Sequence, residues 1–84
     1  MYQYENEKAA IFTEDGQNMF LKIRDNVNSI IPKSGAIRLG EAIKATSGNS
    51  WTMLACIDRM VELGELKEIK YGDCAGQNRI FVQP

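Results

Sequence analysis

Asp58 and Glu62 stand four residues apart, with Glu65 and Glu68 just beyond. Carboxylates at that spacing share a helix face, and a carboxyl pair in a cleft is the simplest acid–base device. The rest of the chain does not support such chemistry. It has no histidine, which removes the commonest acid–base group near neutral pH and the commonest metal ligand. Cys56 and Cys74 lie eighteen residues apart and make neither a zinc spacing nor a disulfide framework. No serine or threonine has an evident base to activate it. LGEAIKATSG lacks the GxxxxGK[ST] pattern of a phosphate loop. The carboxylates therefore read as a solvated helix face. The chain is not expected to be an enzyme, and no cofactor or metal is expected.

Other side chains suit contact rather than catalysis. From residue 34 the order is short strand, helix, tight turn, second helix, two-stranded hairpin. A helix pair joined by a tight turn can set its second helix in the major groove of duplex DNA, with the hairpin beside the groove or the phosphates. Asn49 and Ser50 stand at the start of that second helix, and its outward face carries Trp51, Thr52, Ala55, Asp58, Arg59 and Glu62. Thr52 suits a base or a phosphate, and Ala55 is small enough to meet a thymine methyl. Arg59 can reach guanine or phosphate, or pair with Asp58 or Glu62. Trp51 can stack on a sugar or base, or bury against the turn and hairpin. Lys67, Lys70 and Arg79 can align on one edge of the hairpin, where Gln77 and Asn78 add amides. Phosphate contact is one use of that edge, and discouraging edge-to-edge aggregation is another. Lys44, near the end of the short helix, can touch the DNA backbone. Cys74, in the hairpin loop, is either incidental or open to oxidation.

These residues need elements to hold them. Met19, Phe20, Ile23, Val27, Ile30 and Ile31 recur at helical spacing. Thr13 can cap that helix, Glu14 and Asp15 suit its first turn, and Pro32 is expected to end it. Ser34 and Gly35 make a turn, and Ala36 to Arg38 a short strand. Leu39, Ala42 and Ile43 give one face of a short helix reaching about Thr46. Ser47, Gly48 and Asn49 break it, with left-handed angles at Gly48. Ser50 is read as the next N-cap, Met53, Leu54, Ile57, Met60 and Val61 as the inward stripe, and Gly64 as the closing cap. Cys56 is placed at the core boundary. Leu66 to Tyr71 and Arg79 to Gln83 pair as strands around a turn at residues 72–76. Residues 1–12 form an arm whose Tyr2, Tyr4, Ile11 and Phe12 are too apolar for a free tail. They can pack on the domain or on a second copy.

The 84 residues fit one small domain. Ten basic residues face eleven acidic ones, for a net charge of −1. Non-specific DNA affinity comes from neutralised phosphates, so DNA binding would need a local patch or two copies acting together. Residues 1–32 carry three basic and five acidic groups, and residues 33–84 carry seven and six, a modest bias in the right direction. No apolar run approaches the roughly 18 residues of a membrane span. The opening MYQYENEKAAIF does not read as a signal peptide, and the cysteine usage suits a reducing cytoplasm.

The segment SGAIRL, then GEAIKAT, then SWTMLACIDRMVELGEL with its closing glycine, then KEIKYGDCAGQNRIFV, resembles the winged helix-turn-helix superfamily. The likeness is to its small bacterial transcriptional regulators and covers residues 13–83. It implies an α+β winged helix, a three-helix core with a small antiparallel sheet, over residues 13–84. It also implies sequence-specific double-stranded DNA binding, as a homodimer, with the helix from Ser50 in the major groove and the wing on the backbone. Three features depart from the family pattern. Asn49 stands where an apolar residue is common, the wing tip is not basic, and Asp58 and Glu62 lie on the second helix. The alternative is a winged-helix protein-interaction module without DNA binding, contacting its partner through Trp51, Phe81 and the N-terminal tyrosines. A positive field over Arg59, Lys70 and Arg79 would favour DNA, and its absence a protein partner.

Overall fold

The computed structural model describes residues 1–70 and 78–84. In chain order these form α1 (Tyr4–Glu7), a 3-10 turn (Lys8–Phe12), α2 (Glu14–Ser34), β1 (Ala36–Arg38) and α3 (Leu39–Ala42). A second 3-10 turn (Ile43–Ala45), α4 (Ser50–Glu62), β2 (Lys67–Ile69) and β3 (Ile80–Val82) follow. The architecture is α+β, with four helices and a three-stranded antiparallel sheet among the described residues.

Thr13 caps α2 as expected, its hydroxyl accepting the Gly16 amide at 3.0 Å. Phe20, Ile23, Val27 and Ile31 bury on one face of α2, while Met19 and Ile30 pack at its margin. Pro32 does not end the helix. It lies inside the last turn, and the helix stops at Gly35, whose left-handed φ of 79° and amide bond to the Ile31 carbonyl at 2.7 Å close it. Proline disfavours a helical residue before it, but Ile31 is held in the core. Asn28, which loses a bond to the missing proline N–H, is exposed to water.

The Asn26 amide donates to the carbonyls of Glu41 and Ala42 at 2.8 and 3.1 Å, tying α3 to α2. The cap of α4 is Asn49, not Ser50. The Asn49 Oδ1 accepts from the Trp51 and Thr52 amides at 2.9 and 3.2 Å. Gly48, with φ 131°, makes the turn before it. At the other end Gly64 donates to the Val61 carbonyl and Glu65 to the Met60 carbonyl, the paired bonds of a Schellman close.

The sheet order is β1-β3-β2, and Phe81 of the central strand faces Ile37 on one side and Glu68 on the other. Phe81 is fully buried with Ile23, Ile37, Leu39, Ile57 and Met60. Burial on α4 is wider than the expected stripe. Ala55 and Cys56 are fully buried too, whereas Met53, Leu54 and Val61 are half-buried. The reason is that α4 is packed on two sides, by α2 and by the segment 4–12. That segment thus packs on the domain, one of the two placements expected of it, and Ile11 belongs to the core. The expected hairpin turn, with Cys74 and Gln77, lies outside the described residues.

Candidate functional site

The outward stripe of α4 runs Trp51, Ala55, Asp58, Glu62, residues three or four apart. Tyr2, Tyr4 and Lys8, near the start of the chain, reach onto it. The Tyr2 hydroxyl donates to Asp58 Oδ2 at 2.6 Å, and the Tyr4 hydroxyl donates to Glu62 Oε1 at 2.8 Å. Lys8 Nζ meets Glu62 Oε2 at 2.8 Å. The rings of Tyr2 and Trp51 meet edge to face at 6.5 Å. Ala55 is the small floor of this stripe and is completely covered, so it has no methyl to offer a thymine.

The charges close on one another. Arg79 is only 18% exposed and reaches Asp58 Oδ1 at 2.8 Å and both oxygens of Glu68 at 2.9 and 2.8 Å. Its guanidinium also lies over the Phe81 ring. Lys70 adds a second cation to Glu68 at 3.2 Å. Arg59 pairs with Glu62 at 2.6 Å and covers the Phe12 ring. The Lys8 ammonium, with Arg59 and the Tyr4 hydroxyl, holds the Glu62 carboxyl down at about 2. Arg79 likewise lowers Glu68. Burial, then the bond to Asp58, pushes the Tyr2 phenol well above its ordinary range, and burial and Glu62 do the same for Tyr4. These groups are locked as hydroxyl donors and carboxylate acceptors. None is poised for proton transfer near neutral pH. Among the described residues no three of His, Cys, Asp and Glu gather as a metal-binding group.

Lys67, Lys70 and Arg79 do not align on one edge. Side chains alternate along a strand. Glu68 and Lys70 share a side with Arg79, and Lys67 faces the other way, exposed and without a carboxylate partner among the described residues. Lys44 is exposed and lines an open groove with Arg38, Gly40, Glu41 and Asn78. Asn49 and Thr52 line a second groove with Lys22 and Ser47. Ser50 is exposed and Trp51 keeps 42% of its surface. The leading end of α4 is thus open, and its trailing half is covered.

No family model, no curated protein and no solved structure matches the chain. What the surface does must be argued from its own geometry.

Of the residues singled out from sequence, Trp51, Asp58, Arg59, Glu62, Lys70 and Arg79 come together in one network. Ser50, Lys44 and Asn78 stay exposed, and Thr52 is half-buried at the second groove. Asn49 spends its side-chain oxygen on the helix cap, and Phe81, expected to meet a partner protein, is buried. Lys8, Lys22 and Arg38 were not anticipated. The signal for Lys8 lay in its company, a cation in a tyrosine-bearing segment too apolar to be free.

Proposed function

We propose that this chain is a winged-helix module that binds a segment of a partner protein on the outward face of α4. The helix–strand–helix–turn–helix–strand–strand order supports the winged-helix reading. One observation carries the functional reading. The outward face already takes a peptide segment, residues 2–8, through hydroxyl and ammonium donors onto Asp58 and Glu62. The same network matches Arg59, Lys70 and Arg79 with carboxylates. The positive field that DNA would need over these three cations is therefore largely cancelled.

A second reading is sequence-specific duplex DNA binding by a dimeric regulator, and the open leading end of α4 favours it. Ser50, Trp51 and Thr52 would meet bases there. The phosphates would fall to Lys22, Arg38, Lys44 and Lys67, which have no carboxylate partner among the described residues.

A salt series with labelled duplexes tiled from the source genome separates the two. DNA binding through those four cations gives a log–log salt slope of about −3 to −4 and is weakened by Lys44→Glu. That result overturns the protein-binding reading. No binding at low salt is the outcome it expects.

A further inference from the structure

This inference rests on the protein-binding reading and names what the face takes. Residues 2–8 are held on α4 by side chains, with Tyr2 and Tyr4 half-buried at the margin of the core and no residue of the segment fully buried. Helix α1 spans four residues, buries none of them and has no side-chain cap, so it has no stability of its own. Its bonds to Glu62, from Tyr4 and Lys8, are solvent-exposed and hold weakly. Past Lys8 the anchoring changes. Ile11 is buried, Gln17 Nε2 donates to the Ile11 carbonyl at 2.7 Å, and the Thr13 hydroxyl donates to the Ala10 carbonyl at 2.9 Å. A loosely held strap thus joins a firmly held anchor within three residues. A segment with few buried contacts opens locally without global unfolding.

The strap also carries charge that the face does not use. Tyr2, Tyr4 and Lys8 satisfy the stripe, whereas Glu5 and Glu7 make no ion pair among the described residues and leave the strap with a net negative charge. A segment with the same donors and without those acids complements the face better. We infer that residues 2–8 are a built-in stand-in for the ligand. That ligand is a protein segment bearing aromatic hydroxyls and a lysine or arginine, which displaces the strap and packs an aromatic ring against Trp51.

The test uses the full chain with Tyr2→Phe, Tyr4→Phe and Lys8→Ala, which unlatch the strap and leave Ile11 in place. The probe is a synthetic peptide of residues 2–8 with glutamine at positions 5 and 7. The readout is the indole N–H resonance of Trp51, the single tryptophan. A saturating shift is expected in the unlatched chain. In the unaltered chain it is weaker by roughly tenfold, because the tethered strap competes at an effective concentration of order mM. The shift is lost when Glu62→Gln is added, or when the peptide's hydroxyls and lysine are removed. A shift indifferent to those changes, or none in a folded unlatched chain, overturns the inference. Amide exchange in the unaltered chain checks it independently. Asn6, Glu7 and Lys8 are expected to exchange about 100-fold or more faster than Ile23 and Val27. Exchange of both sets at one common rate overturns displacement, since the strap would then leave only on unfolding. Failure here without duplex binding leaves the protein-binding reading standing, whereas duplex binding removes that reading itself.

Discussion

Gly16→Ala tests the joint between the anchor and α2. Gly16 is buried in the first turn of α2, and a Cβ built there would lie 2.0 Å from the Ala10 carbonyl oxygen and 2.8 Å from the Ile11 Cα and carbonyl carbon. An ordinary carbon–oxygen contact is about 3.3 Å or more, so the backbone at Ala10 must retreat by more than about 1 Å. A side-chain shift does not relieve this, because the three nearest atoms are all backbone. In an open helix position alanine would gain up to about 1 kcal/mol over glycine. Overpacking into fixed backbone costs about 3 kcal/mol, the upper part of its usual range, leaving a net loss of about 2 kcal/mol. For a domain of this size that lowers Tm by about 8–16 °C. Thermal and urea unfolding followed by Trp51 fluorescence measure it. The variant should also expose Ile11, so peptide amides in 8–12 should lose exchange protection before those of α2. Gly64→Ala is the control. It has φ 77° with nothing within 4 Å, so it should lose only about 1–2 kcal/mol of backbone preference and leave the 8–12 segment in place. If Gly16→Ala is as stable as the parent, or more so, the close approach of Ala10 to α2 is wrong, and with it the anchored strap.

Asn49→Ala should cost about 1 kcal/mol as a lost N-cap, whereas Ser50→Ala should be near neutral; urea midpoints for the pair decide which residue caps α4. Arg79→Met leaves Asp58 and Glu68 without their shared cation. Breaking a well-buried pair costs about 3–5 kcal/mol, and the residual exposure of Arg79 brings the expected loss to about 2–3 kcal/mol at neutral pH, measured by calorimetry. Acid should weaken the fold through Glu68 and Glu62, whose folded values lie below the ordinary 4.5. Depressed carboxyls stabilise above 4.5 and lose that contribution as pH falls through their folded values. The urea midpoint should therefore be flat from neutrality to about 5 and fall from 4.5 toward about 2, with the fall shallower in Arg79→Met. Burial pushes the Cys56 thiol up to about 11, so in a Cys74→Ser background alkylation of Cys56 should track unfolding, and stability should drop as pH rises from about 9 to about 11.

Local chemistry was legible in the sequence wherever one residue and its neighbours decide the outcome. The Thr13 cap, the stripe of Phe20, Ile23, Val27 and Ile31, the left-handed Gly48 and the close at Gly64 are such cases. Pro32 misled because its local preference was outweighed by the burial of Ile31 one residue earlier, a tertiary fact. Ser50 and Asn49 are both good caps, and only the backbone decides that Asn49, with extended angles, takes the role. The outward face of α4 was misread for a different reason. A helix wheel shows which residues oppose the core stripe, but not that a segment fifty residues earlier lies on them. Ala55 looked exposed because the packing of the 4–12 segment on α4 was not visible. Arg59 with Glu62 was visible at helical spacing. The bonds of Arg79 to Asp58 and Glu68, 21 and 11 residues away, were not.

Charge counts alone do not set the surface field, because location and pairing decide it. Among the described residues five cations have carboxylate partners, Lys8, Arg24, Arg59, Lys70 and Arg79. Four of these five crowd around α4, leaving Lys22, Lys33, Arg38, Lys44 and Lys67 on α2, the sheet edges and the turn before α4. A duplex entering along α4 would have to evict the strap. It would then set its phosphates near Asp58 and Glu62, whose arginine partners are already engaged, so the phosphates would gain little attraction there. A basic protein segment evicting the same strap meets attraction at both carboxylates and an aromatic ring at the open end. The element order that suggests a DNA reader is common to both occupants. With the strap away, Asp58, Glu62 and Glu68 still face Arg59, Lys70 and Arg79, so the stripe has no net positive charge for phosphates, while its carboxylates can still accept from hydroxyl and ammonium donors.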